Sequence, residues 1–125
     1  MSVVYDAGVL IAADRDERRV WAEHRARLEA GVVPVTTAPV VAQVSRSDRQ
    51  VPLRRFLRGC EVVPFAPGQA HEVGALLPSA GTHDVVDAHL VVEAAARSAV
   101  VLTSDTADLR RLSDRGPTPV VVGPT

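Results

Sequence analysis

Four aspartates stand where short valine-rich runs end or where an apolar helix begins. Asp6 closes Val3-Val4-Tyr5-Asp6-Ala7-Gly8, and Asp105 follows Val100-Val101-Leu102-Thr103-Ser104. Ligands of open parallel sheets bind outside the carboxyl ends of strands, at the point where the strand order reverses. If the first and fourth strands are neighbours, ~4.8 Å apart, these two carboxylates converge. Asp84 and Asp87 open the apolar segment that ends at Arg97, three residues apart on one face of its first turn. One of them serves as a helix cap; a cap needs only one acid, and this helix carries two. Asp108 is a further candidate, three residues beyond Asp105. Like charges 4 Å apart repel by ~4 kcal/mol at an effective dielectric near 20. A shared acidic cleft therefore demands a proton or a cation. Oxygen-only ligands suit Mg²⁺ or Mn²⁺. A hard cation with open positions activates water and holds a phosphoryl oxygen. Scattered caps and surface acids are the alternative.

Other chemistries drop out. All 14 basic residues are arginines, so Schiff-base lysines and the P-loop lysine are absent. Cys60 is the single cysteine, which rules out an intrachain disulfide and a cysteine-based zinc site. An aspartate-nucleophile phosphatase would carry a second Asp at position 8, where Gly8 stands. A receiver-type phosphotransfer module needs a lysine. The histidines show no metal-ligand spacing: His24, His71 and His89 read as packing or surface residues, and His83 as a neighbour of Asp84. Aromatics are 3% of residues, too few for a platform that stacks single-stranded bases, so Trp21 reads as a packing or dimer-surface residue. The net charge of −1 does not announce a nucleic-acid binder. One local exception is the run Arg46, Arg49, Arg54, Arg55 and Arg58. It reads either as a phosphate-contacting patch or as a solvated helix face.

Elements that would position the acids follow from the valine clusters. Val3-Val4, Val32-Val33, Val62-Val63, Val100-Val101 and Val120-Val121-Val122 are short, β-branched and bounded by turn residues, as buried parallel strands are. The first three gaps have about the length of a βαβ unit, and the last is shorter. Between them, helices are predicted over 17–30, a short one from Pro39, then 48–58, 67–77 (stopped by Pro78 and Gly81), 84–97 and 105–112. The outcome is a single domain over 1–125, an α/β fold with one mostly parallel sheet and helices on both faces. Apolar content of 46% against 23% charged excludes global disorder. No basic start with an apolar run is present, and the segment from Val85 to Val101 is broken by His89, Glu93 and Arg97. A soluble cytoplasmic protein is expected.

The chain resembles the PIN-domain proteins, and more narrowly the VapC-type toxins of bacterial toxin–antitoxin pairs. The matching stretches are Val4-Tyr5-Asp6-Ala7-Gly8-Val9-Leu10-Ile11-Ala12, Ala38-Pro39-Val40-Val41-Ala42-Gln43-Val44, Val86-Asp87-Ala88-His89-Leu90 and Leu102-Thr103-Ser104-Asp105-Thr106-Ala107-Asp108-Leu109. They occur in the family's order across nearly the whole sequence. The resemblance implies a three-layer α/β/α fold around a five-stranded parallel sheet. It also implies Mg²⁺- or Mn²⁺-dependent endoribonuclease activity on RNA, a homodimer and inhibition by a cognate antitoxin. By position, Asp6, Asp87 and Asp105 become the metal-binding acids, Asp84 an extra acid beside them, and Thr103 a hydroxyl next to the site. Apart from the resemblance, Arg46, Arg54 and Arg55 of the arginine run are the candidate RNA contacts, and in toxins of the family such a face can also meet the antitoxin. One departure stands out. The family's glutamate on the helix after the second strand is here Gln43, which offers a carbonyl oxygen but no charge. Either Asp84 restores that charge, or the domain is a weakened nuclease acting as an RNA- or protein-binding module.

Overall fold

The computed structural model describes residues 2–116 and 121–124. Its elements run β1 (Val3–Tyr5), α1 (Ala7–Asp14), α2 (Arg18–Glu29), β2 (Val35–Thr37), α3 (Ala38–Val44), α4 (Val51–Leu57), β3 (Glu61–Val63), α5 (Ala70–Ala80), α6 (Val85–Ala96), β4 (Val100–Thr103), α7 (Thr106–Arg115) and β5 (Val121–Pro124). A short 3-10 turn, Pro67–Gln69, leads into α5. The strands form one sheet in the order β3-β2-β1-β4-β5, and every pairing is parallel.

Right-handed crossovers dictate the layers. The chain steps from β1 to β2 to β3 in one direction, then returns across β1 to β4 and β5. Helices α1 to α4 therefore cover one face and α5 to α7 the other, and the main helix contacts divide along that line, with α3 and α6 also touching across it. The expected α/β/α sandwich is thus present. Strand β1 lies at the centre, with Val3, Val4 and Tyr5 at most 1% exposed. Parallel strands covered on both faces lose the alternation of buried and exposed positions, and β1 and β2 are buried at every residue. The direction of winding reverses between β1 and β4, which pair in register Tyr5↔Leu102.

Several expected boundaries shift. Helix α1 falls in a stretch for which no helix was expected. Its residues Ala7–Asp14 are nearly all apolar, so a helical stripe has no polar background to stand against. Val32-Val33 is not a strand: β2 begins after Pro34, whose carbonyl accepts from the Glu61 amide at 2.9 Å, and Val33 is 57% exposed. Helix α4 starts at Val51 rather than Asp48, with Pro52 in its first turn. Pro78 does not end α5; the helix runs through it to Ala80 and stops at Gly81, which takes the left-handed conformation at φ 69°. Helix α7 extends to Arg115. Of the last valine cluster, Val121 and Val122 lie in β5, and Val120 lies outside the described residues.

Candidate active site at the carboxyl ends of β1 and β4

Asp6 leaves β1 one residue before α1, and its amide donates to the Leu102 carbonyl of β4 at 3.0 Å. Its side chain is buried, 7% exposed. The Thr103 hydroxyl donates to Asp6 Oδ2 at 2.6 Å and accepts from the Asp105 amide at 2.9 Å. Thr103 is fully buried, so one hydroxyl ties the end of β1 to the loop after β4. Gly8 lets the two segments approach: a Cβ there would lie 2.7 Å from Ser104 Oγ.

Helix α6 delivers the second pair of acids. Asp84 is its N-cap, with Oδ1 accepting from the Asp87 amide at 3.0 Å. The Asp84 amide in turn donates to Thr82 Oγ1 at 3.1 Å, which fixes the entry of the helix. Asp87 is half-buried in the first turn. Beyond it, Ala88, Leu90, Val91 and Ala94 are buried, and His89 is packed flat on Phe65 with ring centroids 4.5 Å apart. His89 Nε2 meets Gln69 Oε1 at 3.1 Å, so the helix is anchored well behind its acidic tip.

The four carboxylates sense one another. Burial pushes the Asp87 carboxyl up to about 7, and the charges of Asp84, Asp6 and Asp105 push in the same direction. The Asp105 carboxyl is also raised, by desolvation first, then by the carboxylate of Asp108, with Asp6 contributing. As the side chains stand, no three His, Cys, Asp or Glu groups among the described residues are placed to hold a metal ion together. The donor chemistry nevertheless fits a hard divalent cation. Its groups are carboxylate and hydroxyl oxygens, and their mutual repulsion is what a positive charge would relieve.

Not every expected site residue joins this group. Gln43 is exposed on α3, and no hydrogen bond joins it to the aspartates. Asp108 stands beside Asp105 and pairs with Arg111 at 3.2 Å. Arg46, Arg54 and Arg55 are exposed, and Arg46 lies with Asp14 and Arg15 at the far end of α1 from Asp6. Eight residues of helix separate the two ends, about 12 Å at ~1.5 Å per residue. His71 and His83 are exposed, while His24 is buried against Tyr5 and Phe56. Two residues were missed. Thr82 and Arg111 line a small cleft with Asp87 and Asp108. The i, i+3 spacing of Asp108 and Arg111 was the available signal. A wider groove at the α1–α2 turn, beside Trp21 and Arg25, contains one acid, Asp16.

The same architecture is found in solved structures. A chain of VapBC2 from Rickettsia felis, solved bound to a DNA fragment from its promoter, superposes with a TM-score of 0.75 at 17% identity, covering 100% of this chain and 99% of that one. The fold is PIN-like. A chain of FitAcB from Neisseria gonorrhoeae matches this PIN-like fold at TM-score 0.65 and 19% identity, over 96% of this chain and 95% of that one. PAE2754 from Pyrobaculum aerophilum matches at 0.62 and 18%, over 97% and 92%. No family model and no curated protein matches the sequence. The PIN-like fold is thus shared while most side chains differ.

Proposed function

We propose that this chain is a metal-dependent endoribonuclease, the toxin of a toxin–antitoxin pair, that hydrolyses RNA phosphodiester bonds. The observation that supports the reading is that Asp87 feels the charges of Asp6 and Asp105 at the switch point between the adjacent strands β1 and β4. Asp6, Asp87 and Asp105 would hold Mg²⁺ or Mn²⁺, which when bound lowers the pKa of water and offsets charge on the attacked phosphate. The Thr103 hydroxyl donates to Asp6 and holds its carboxyl group in place. Asp84 supplies the negative charge that Gln43 lacks and orients water beside Asp87. Within this reading the partners are an RNA substrate, a cognate antitoxin and a second copy of the chain. VapBC2, solved on promoter DNA, supports the antitoxin. Among the described residues no helix is long and apolar enough to cross a membrane.

Cleavage of a labelled single-stranded RNA tests this, with Mg²⁺ and with EDTA. The wild-type chain should cut only with the metal. Asp6→Asn should lose cleavage by at least about a hundredfold while keeping its circular dichroism spectrum and thermal midpoint. Full activity in Asp6→Asn, or equal cleavage in EDTA, removes the proposal. RNA binding without any metal-dependent cutting would leave the binding-module reading.

A further inference from the structure

We infer that Arg111 is the cation that receives a substrate phosphate beside the aspartates, an inference that rests on the nuclease reading above. Asp6, Asp84, Asp87, Asp105 and Asp108 gather at one end of the sheet, and an approaching polyanion meets like charge there. The small cleft between the end of α5, the start of α6 and α7 brings Asp87 and Asp108 together with Arg111, the one basic residue among the described residues of its lining. Arg111 is 56% exposed and touches Asp108 through a single amino group at 3.2 Å. A guanidinium carries five donors in a planar fork. One is engaged by Asp108, and the others are free to grip two oxygens of a phosphate. The arginines first assigned to RNA lie elsewhere: Arg46 is beside Asp14 at the other end of α1, and Arg54 and Arg55 are on α4. Leu109 and Leu112 bury the inner face of α7, so the backbone that carries Arg111 is fixed while the side chain reaches over the cleft rim.

A purely structural role predicts something different. An exposed i, i+3 pair contributes only a few tenths of a kcal/mol to its helix, and its loss would leave nucleic-acid affinity and salt dependence alone. The test is fluorescence anisotropy with a 5′-fluorescein single-stranded RNA 12-mer in EDTA, from 50 to 200 mM NaCl, on wild type, Arg111→Gln and Arg111→Lys. Steady-state cleavage in Mg²⁺ is measured beside it. Arg111→Gln should weaken RNA binding about tenfold and make the slope of log K against log salt shallower by about 0.7, the value for one phosphate contact on a single strand. Arg111→Lys should restore the slope and part of the affinity, since it keeps the charge and loses the fork. In Mg²⁺, Arg111→Gln should raise KM more than it lowers kcat. A wild-type chain that binds and cuts RNA, with an Arg111→Gln variant of unchanged slope and affinity, overturns this inference alone. A wild-type chain that neither binds nor cuts RNA overturns the nuclease reading and this inference with it.

Discussion

At the scale of single residues, Asp87 is where charge and burial conflict most. Its carboxyl moves from the usual 3.8 up to about 7 on folding, through burial first and its acidic neighbours second. The native state therefore binds the proton more tightly than the unfolded chain. Asp87's contribution is complete below about pH 4 and is lost as pH rises through 7. Buried His24 and His89 act in the opposite sense. Both are held below the usual imidazole value by burial, so their contribution is present above the unfolded value and fades as pH falls. A comparison with Asp87→Asn isolates the aspartate. In EDTA the variant should gain thermal midpoint over wild type as pH rises from 5 to 8. Addition of 5–10 mM MgCl₂, roughly a saturating amount for a carboxylate site, should close that gap at pH 8. A gap that stays constant with pH would mean that Asp87 is ionised throughout. Much of this site was legible beforehand. An aspartate at the end of a β-branched run and a paired acid on an apolar helix are visible in one dimension, and Thr103 followed from its place in a known pattern. Arg111 and Thr82 were not, because their importance depends on which loops face each other.

At the scale of elements, α6 shows how an acidic tip is built onto an apolar rod. Asp84 caps the helix and at the same time repels Asp87. Removing its carboxylate has two consequences of opposite sign. Asp84→Ala forfeits a cap, ~1 kcal/mol in most helices, and relieves Asp87 when that group is charged. By urea denaturation in EDTA, the variant should cost about 1 kcal/mol at pH 5 and clearly less at pH 8. The same cost at both values would show that the two carboxylates are independent. The amphipathic elements were the readable ones: α2 was placed within a residue at each end because arginines and glutamates frame its buried Val20 and His24. Helix α1 was invisible because Val9, Leu10 and Ala13 are buried beside residues that are apolar as well. The shift of β2 past Pro34 has a different cause. Val32-Val33 has strand propensity, but only residues after the proline meet β3 in register, with Val35 opposite Glu61.

At the scale of the whole molecule, the scarce aromatic residues fasten layers together, which leaves none as a surface platform for bases. Tyr5 on β1 holds His24 Nδ1 of α2 at 2.9 Å, His24 stacks on Phe56 of α4 with centroids 4.0 Å apart, and Trp21 meets Phe56 edge-on at 5.1 Å. Arg27 closes the group by donating to the Tyr5 hydroxyl at 3.1 Å. This cluster sits under the strand that ends in Asp6, on the face covered by α1 to α4. Gly59 marks its edge: a Cβ there would lie 2.7 Å from His24 Nε2 and 3.0 Å from Leu28 Cδ1. The Gly59 backbone conformation is open to any residue, so Ala brings no backbone strain and the cost is steric alone. His24 cannot turn aside without giving up Tyr5 or Phe56. Gly59→Ala should therefore destabilise the fold by about 1–3 kcal/mol, the range for overpacking a filled interior, read as a lower urea midpoint with an unchanged slope. The carboxylate site is assembled from β1, β4, α6 and α7 and touches neither Gly59 nor Leu28. Mg²⁺ should consequently raise the thermal midpoint of Gly59→Ala by as much as it raises that of wild type. An unchanged urea midpoint would mean that the His24 ring has room to move. A lost response to Mg²⁺ would mean that this aromatic layer, through Tyr5, also positions Asp6.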